Sequence, residues 1–131
     1  MAAVDKLIER DKDVVCRGIN EIALEDILAV EGKTIPGAAE MLRMKALIVT
    51  PHVMVLHAAR KKGMADPPHQ HDDHDTVSVL VSGKMKIHIG GKSFTAEPGA
   101  VWRHRPGAKH WSEAIEDSVV IEIKTPPVKT W

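Results

Sequence analysis

The stretch Thr76-Val77-Ser78-Val79-Leu80-Val81-Ser82-Gly83-Lys84-Met85-Lys86-Ile87-His88-Ile89-Gly90-Gly91 decides the fold class. Side chains of an extended strand alternate between two faces, so Val77, Val79 and Val81 share one face and Thr76, Ser78 and Leu80 the other. Beyond Gly83, Met85, Ile87 and Ile89 oppose Lys84, Lys86 and His88, which puts His88 on the polar, solvated side. A period of two on both sides of a glycine reads as consecutive strands joined by a turn.

The same texture runs from Met41 to Pro127. Strands are expected at Leu42 to Thr50, Val53 to Arg60, Thr76 to Ser82, Lys84 to Ile89, Lys92 to Ala96, Ala100 to His104, His110 to Ala114 and Val119 to Lys124. Turn-forming residues separate them: Pro51, Gly63, Gly83, Gly90-Gly91, Pro98-Gly99, Pro106-Gly107 and Asp117. Eight short strands with such turns predict an all-β barrel or jelly roll over residues 41–131. Residues 1–40 read as an N-terminal arm, a short helix or two plus extended chain, from weak helical periodicity at Val4 to Arg10 and Ile22 to Val30. No repeat or low-complexity tract marks a second domain.

Composition narrows the function. Lys plus Arg (18) cancels Asp plus Glu (18), so there is no cationic surplus to displace counterions from a nucleic acid. Tyr is absent, which removes one common general acid and argues against a base-stacking surface. The one cysteine, Cys16, has no histidine near it in sequence and reads as a bland thiol. No apolar run approaches the ~18 residues of a membrane span, and the charged stretch Met1 to Gly18 lacks the apolar core of a signal peptide. A soluble, cytoplasmic protein is expected.

Chemistry concentrates in the histidines. Five of the eight lie in two segments, Pro67-Pro68-His69-Gln70-His71-Asp72-Asp73-His74-Asp75-Thr76 and His104-Arg105-Pro106-Gly107-Ala108-Lys109-His110. His69 and His71, one residue apart on extended chain, project to the same side and can offer nitrogens to one metal at ~2.0–2.1 Å. A third histidine from a neighbouring strand would complete the set. Fe, Mn, Ni, Cu and Zn accept imidazole, whereas Ca and Mg prefer oxygen shells. His74, between acids in a loop, reads as hydrogen-bonded to its neighbours only, and His52 and His57 as structural.

These residues resemble a known family. Gly63, five residues, His69-Gln70-His71, an acidic stretch and Gly83 resemble the first cupin motif, and Pro98-Gly99 through Gly107 to His110 resembles the second. The resemblance covers about two thirds of the chain, Leu42 to Pro127, and implies a jelly roll carrying one first-row divalent metal (Fe, Mn, Ni or Zn) on His69, His71 and His110. The fourth ligand position departs from the family. Six intervening residues back from Gly83 give Thr76, where four-ligand cupins carry Glu or Gln, and three intervening residues after His71 give Asp75. Either a local irregularity brings Asp75 to the metal, or the shell is three histidines plus water, as in some cupin dioxygenases.

If Arg103 and Arg105 face outward, Trp102 and His104 face the barrel interior, where Met54, Met85 and Thr76 complete the expected pocket. The segment Val119 to Pro127 is similar to the last strand of small cupins of the uronate-cyclising, pectin-degradation type, with Glu122 at their carboxylate position. That family continues with an aromatic residue and an arginine where this chain has Lys124 and Val128. The expected function is a metal-dependent enzyme acting on a small keto/enol or sugar-acid compound, by isomerisation or cyclisation or by dioxygenation. Glu122 or His104 would carry the proton. The alternative is a small-molecule-binding cupin without catalysis. The apolar face Val77, Val79 and Val81 is expected to pair two copies as a homodimer, and the resemblance to small cupins points the same way.

Overall fold

The computed structural model describes residues 3–131. Helix α1 (Ala3–Asp11) opens the arm, and a two-strand hairpin, β1 (Ala29–Val30) with β2 (Lys33–Thr34), and a single turn of helix, α2 (Ala38–Met41), lead into the barrel. Eight strands follow: β3 (Leu42–Val49), β4 (Met54–Arg60), β5 (Asp75–Ser82), β6 (Met85–Ile89), β7 (Lys92–Ala96), β8 (Val101–His104), β9 (His110–Ala114) and β10 (Ser118–Thr125). Each lies within one residue of its expected ends. They form an antiparallel five-stranded sheet ordered β3-β4-β10-β5-β8 and a three-stranded sheet ordered β7-β6-β9, facing each other as a jelly-roll barrel. Among the described residues, no helix is long and apolar enough to cross a membrane.

The arm differs from its expected texture in one place. Ile22 to Val30 is not helical; the chain is largely extended there and its Glu25 N–H donates to Met44 O (2.8 Å) on the edge strand β3. Burying Ile22 and Ile27 against the barrel satisfies the apolar spacing without a helix. The hairpin turn uses Glu31 and Gly32 at φ +49° and +74°, the paired positive values that a two-residue hairpin requires. Upstream, buried Asp11 ties α1 to β3, accepting from Arg10 (2.6 Å), Arg17 (2.9 Å) and the Val49 N–H (2.9 Å). An ionised carboxylate so deep is tolerable because these donors replace its water.

Strand parity places the site. On β5, Thr76, Ser78 and Leu80 are buried, Val77 and Val79 half-buried and Val81 exposed. The register then aligns inward-facing residues into rows across the large sheet. One row runs Leu56, Glu122, Ser78, Trp102; the next runs Met54, Lys124, Thr76, His104. Apolar residues Leu80, Met85, Ile87, Ala96, Trp102 and Val120 form one buried cluster; Met44, Met54, Leu56 and Met64 belong to a second, sealed by the arm. Polar residues therefore enter the barrel only along defined rows.

The turn between β5 and β6 is held by Gly83. Its φ of +91° lies in the left-handed region, and an added Cβ would overlap Asp117 O and Ser118 Oγ. Gly83→Ala is expected to lower unfolding stability by about 2 kcal/mol or more, read from urea unfolding midpoints. Unchanged stability would mean that the turn relaxes freely.

Candidate metal centre

His69 and His71 lie on the segment entering β5, and His110 opens β9 on the opposite sheet. Backbone bonds zip the two segments together: His69 N–H to His110 O (3.0 Å), His110 N–H to His69 O (2.8 Å) and Gly107 N–H to His71 O (2.7 Å). The pairing places the three imidazoles side by side, with ring centroids 4.3 to 5.0 Å apart and each residue at most 5% exposed. One ligand atom from each falls within 4.8 Å of the other two.

The proton on each ring is fixed by its partner. His69 Nδ1 faces Pro67 O (2.7 Å), His71 Nδ1 faces a Glu31 carboxylate oxygen (2.8 Å) and His110 Nδ1 faces Ala108 O (2.9 Å). Carbonyl and ionised carboxylate oxygens only accept, so each Nδ1 carries the hydrogen and each Nε2 keeps its lone pair. Three buried nitrogen lone pairs without donors fit a first-row divalent metal, and outer oxygen partners of this kind orient metal-binding imidazoles. Two of the partners are local backbone; the third comes from the arm. Glu31 is held for that task by its own N–H on Thr130 O (2.9 Å), while Lys33 Nζ donates to Pro68 O (2.7 Å) beside the histidines.

Burial keeps these rings neutral. Desolvation, reinforced by the positive charge of Lys124 and neighbouring imidazoles, pushes His71 down to about 2. Burial likewise takes His104 to about 2, and His110 to about 4 against the pull of its bond to Ala108. Lone pairs on His71 and His110 thus stay available well below neutrality.

Other expected site residues fall in distinct places. Asp75 turns outward, its carboxylate held by Arg103 (2.5 and 2.9 Å) on the surface, and that bond holds the carboxyl below the usual carboxylate range. β5 alternates regularly from Asp75 to Leu80, which leaves no irregularity there to bring Asp75 inward. Thr76 is buried inward, with its Oγ1 3.3 Å from Lys124 Nζ. Trp102 and His104 face the interior and Arg103 faces solvent. His104 stacks on His110 at 3.7 Å between centroids and 10° between planes. Met85 and Trp102 line a cavity next to the imidazoles; Met54 packs behind it in the core. His88 stacks on Trp111 outside the cavity, and His57 is half-buried on the outer face of β4.

Glu122 faces the cavity with 15% side-chain exposure, and its nearest charged partner is Arg60 at 3.7 Å. Arg60 is itself clasped by Asp66 (2.9 Å), which also accepts from Ser112 (2.9 Å). Sequence reading missed Arg60, Asp66, Glu31 and Lys124; His74 is, as expected, a loop residue bonded to its neighbour Asp73 (2.8 Å), and it is 2% exposed. Lys124 carried a signal: its parity with Val120 and Glu122 puts an amine on an inward face. Glu31 carried none, because only the folded arm brings it to a histidine 40 positions away.

A family model described as a cupin domain matches residues 56–123, just over half of the chain. The chain belongs to the cupin family. Among solved structures, KdgF from Halomonas sp. is similar at 25% identity and a TM-score of 0.72, over 85% of this chain and 94% of that one. An RmlC-like cupin from Shewanella frigidimarina (19% identity, TM-score 0.73, 89% and 95% covered) and ectoine synthase from P. lautus (14%, 0.71, 89% and 81%) share the fold. No curated protein matches.

Two outcomes follow. In elemental analysis after dialysis against metal, Asp75→Ala is expected to retain about one metal per chain and His69→Ala with His71→Ala to retain none; full loss in Asp75→Ala would bring the carboxylate into the shell. The second concerns pH. His71, His104 and His110 have folded values below the ordinary 6.5, so the unfolded chain takes up more protons as pH falls. The metal-free protein should keep full stability above about 6.5 and lose on the order of 1 kcal/mol per buried imidazole per pH unit below it, down to about 4 for His110. Urea unfolding between pH 7 and pH 5 measures this, and a flat profile would contradict neutral burial.

Proposed function

We propose that this cupin is a metal-dependent enzyme that moves a proton on a small keto/enol or sugar-acid compound, in an isomerisation or cyclisation. The observation that carries the proposal is Glu122, a carboxylate facing the same cavity as three imidazoles with free Nε2 atoms. A first-row divalent ion on His69, His71 and His110 would supply Lewis acidity toward a carbonyl or enolate oxygen. With no carboxylate in that histidine group, the ion's positive charge would be undiminished by its ligands.

Glu122 then acts as base on the carbon next to the polarised carbonyl and returns the proton to the neighbouring atom. Arg60, at 3.7 Å, aims the carboxylate while Asp66 takes most of the guanidinium's bonding. His104 suits a proton carrier less well, since burial to about 2 leaves its charged form out of reach near neutrality. Its stacking against His110 instead braces a candidate ligand. Trp102 and Met85 provide an apolar wall that excludes water. Support for a sugar acid comes from the likeness of β10 to uronate-cyclising cupins and from the similarity to KdgF. The proposal includes a homodimer through the outer face of β5, where Val81 and Val101, the cross-strand partner of Val79, are 52% and 63% exposed; light scattering at micromolar concentration should give twice the chain mass, and a monomer would remove it.

The test is a substrate screen of sugar acids, keto acids and diketones on protein loaded with Zn or Ni without dioxygen, beside Fe-loaded protein with it. Anaerobic turnover with Zn or Ni, reduced about a hundredfold or more in Glu122→Gln, is the expected result. Turnover confined to Fe with dioxygen consumption would make the reaction an oxygenative cleavage. Binding without turnover under every condition would leave a non-catalytic binding protein.

A further inference from the structure

One buried charge has no part in that reaction. Lys124 is 4% exposed and lines the cavity, yet among the described residues no carboxylate stands within ion-pair distance of its Nζ. Its neighbours are neutral acceptors. Asp73 accepts the Nδ1 hydrogen of His74 (2.8 Å), leaving the His74 Nε2 lone pair to accept from Lys124 at 3.4 Å; Thr76 Oγ1 accepts at 3.3 Å. Both bonds are long, and an ammonium has a third N–H. Arg60 shows the contrast, because its charge meets two carboxylates, Asp66 and Glu122.

The register sharpens the point. Lys124 pairs across the sheet with Thr76, the residue standing where the cupin spacing places Glu or Gln. An ammonium therefore sits beside a neutral hydroxyl, on the wall of a pocket whose histidine group brings no negative charge. Burying an ammonium is expensive without an anion, and burial does lower the basicity of this one.

We infer that Lys124 is an anion-binding residue, holding a carboxylate or enolate oxygen of a small organic acid in the cavity beside the three histidines. The inference rests on the small-molecule reading above and narrows its substrates to anions. Neutral ketones and diketones drop out.

The test uses the full chain, zinc-loaded and metal-free, titrated calorimetrically with pyruvate, malonate and galacturonate, and with their methyl esters as uncharged controls. At least one acid is expected to bind roughly tenfold or more tightly than its ester, the scale of one charge-assisted hydrogen bond. Lys124→Met should erase that difference while keeping wild-type zinc content, and Lys124→Arg should keep part of it. If Lys124→Met fails to fold, Lys124→Arg and Lys124→Gln carry the comparison. Equal binding of acid and ester by the wild type, or an unchanged preference in Lys124→Met, would overturn the inference. Loss of zinc from Lys124→Met would overturn it too, by making the amine a metal ligand. A wild-type chain that binds no metal would defeat the proposed function, while the metal-free titration would still decide the role of Lys124.

Discussion

Everything at this end of the barrel depends on where three imidazole hydrogens go. Pro67 O, Ala108 O and the Glu31 carboxylate each take the Nδ1 hydrogen of one ring, and those three bonds turn the Nε2 lone pairs toward one another. Burial alone would have made the histidines neutral without making them useful. The backbone bridge between His69 and His110 supplies the other half of the arrangement, since it joins the two sheets at the point where the rings meet. Packing, tautomer and proximity are thus consequences of a few hydrogen bonds between segments far apart in sequence.

Alternation made most of the scaffold legible in the sequence. A period of two in Val77 to Ile89, with glycine or proline at every turn, leaves few arrangements for strands this short, and the expected ends agree with the structure within a residue. The same parity argument places Trp102 and His104 inward and Arg103 outward. It misled at Ile22 to Val30, where apolar residues spaced as in a helix are buried by extended chain bonded to Met44. Local periodicity cannot distinguish those outcomes when another element supplies the burial.

The site was legible in its ligand types and not in its surroundings. Closely spaced histidines announce themselves, whereas Glu31 reaches His71 only through the fold of the arm, and Asp66 meets Arg60 across a chain reversal. Asp75 has the spacing of a ligand, but strand parity sends it out to Arg103, which only the regularity of β5 at that point decides. Acids and bases inside the barrel are sorted with the same economy. Arg60 is matched by Asp66 and Glu122, Glu31 accepts from His71, and the hydrogen-bond partners of Lys124 among the described residues are neutral. That imbalance gives the cavity a chemical preference beyond its shape.

On this reading three histidines with fixed tautomers, and no carboxylate, form the protein's share of a metal shell. X-ray absorption at the zinc edge of the loaded protein tests it most directly. The account predicts three imidazole scatterers at ~2.0–2.1 Å with the multiple-scattering signature of their rings, falling to two in His110→Ala. A spectrum with fewer than three imidazoles, or one requiring a carboxylate that vanishes in Asp75→Ala, would contradict it.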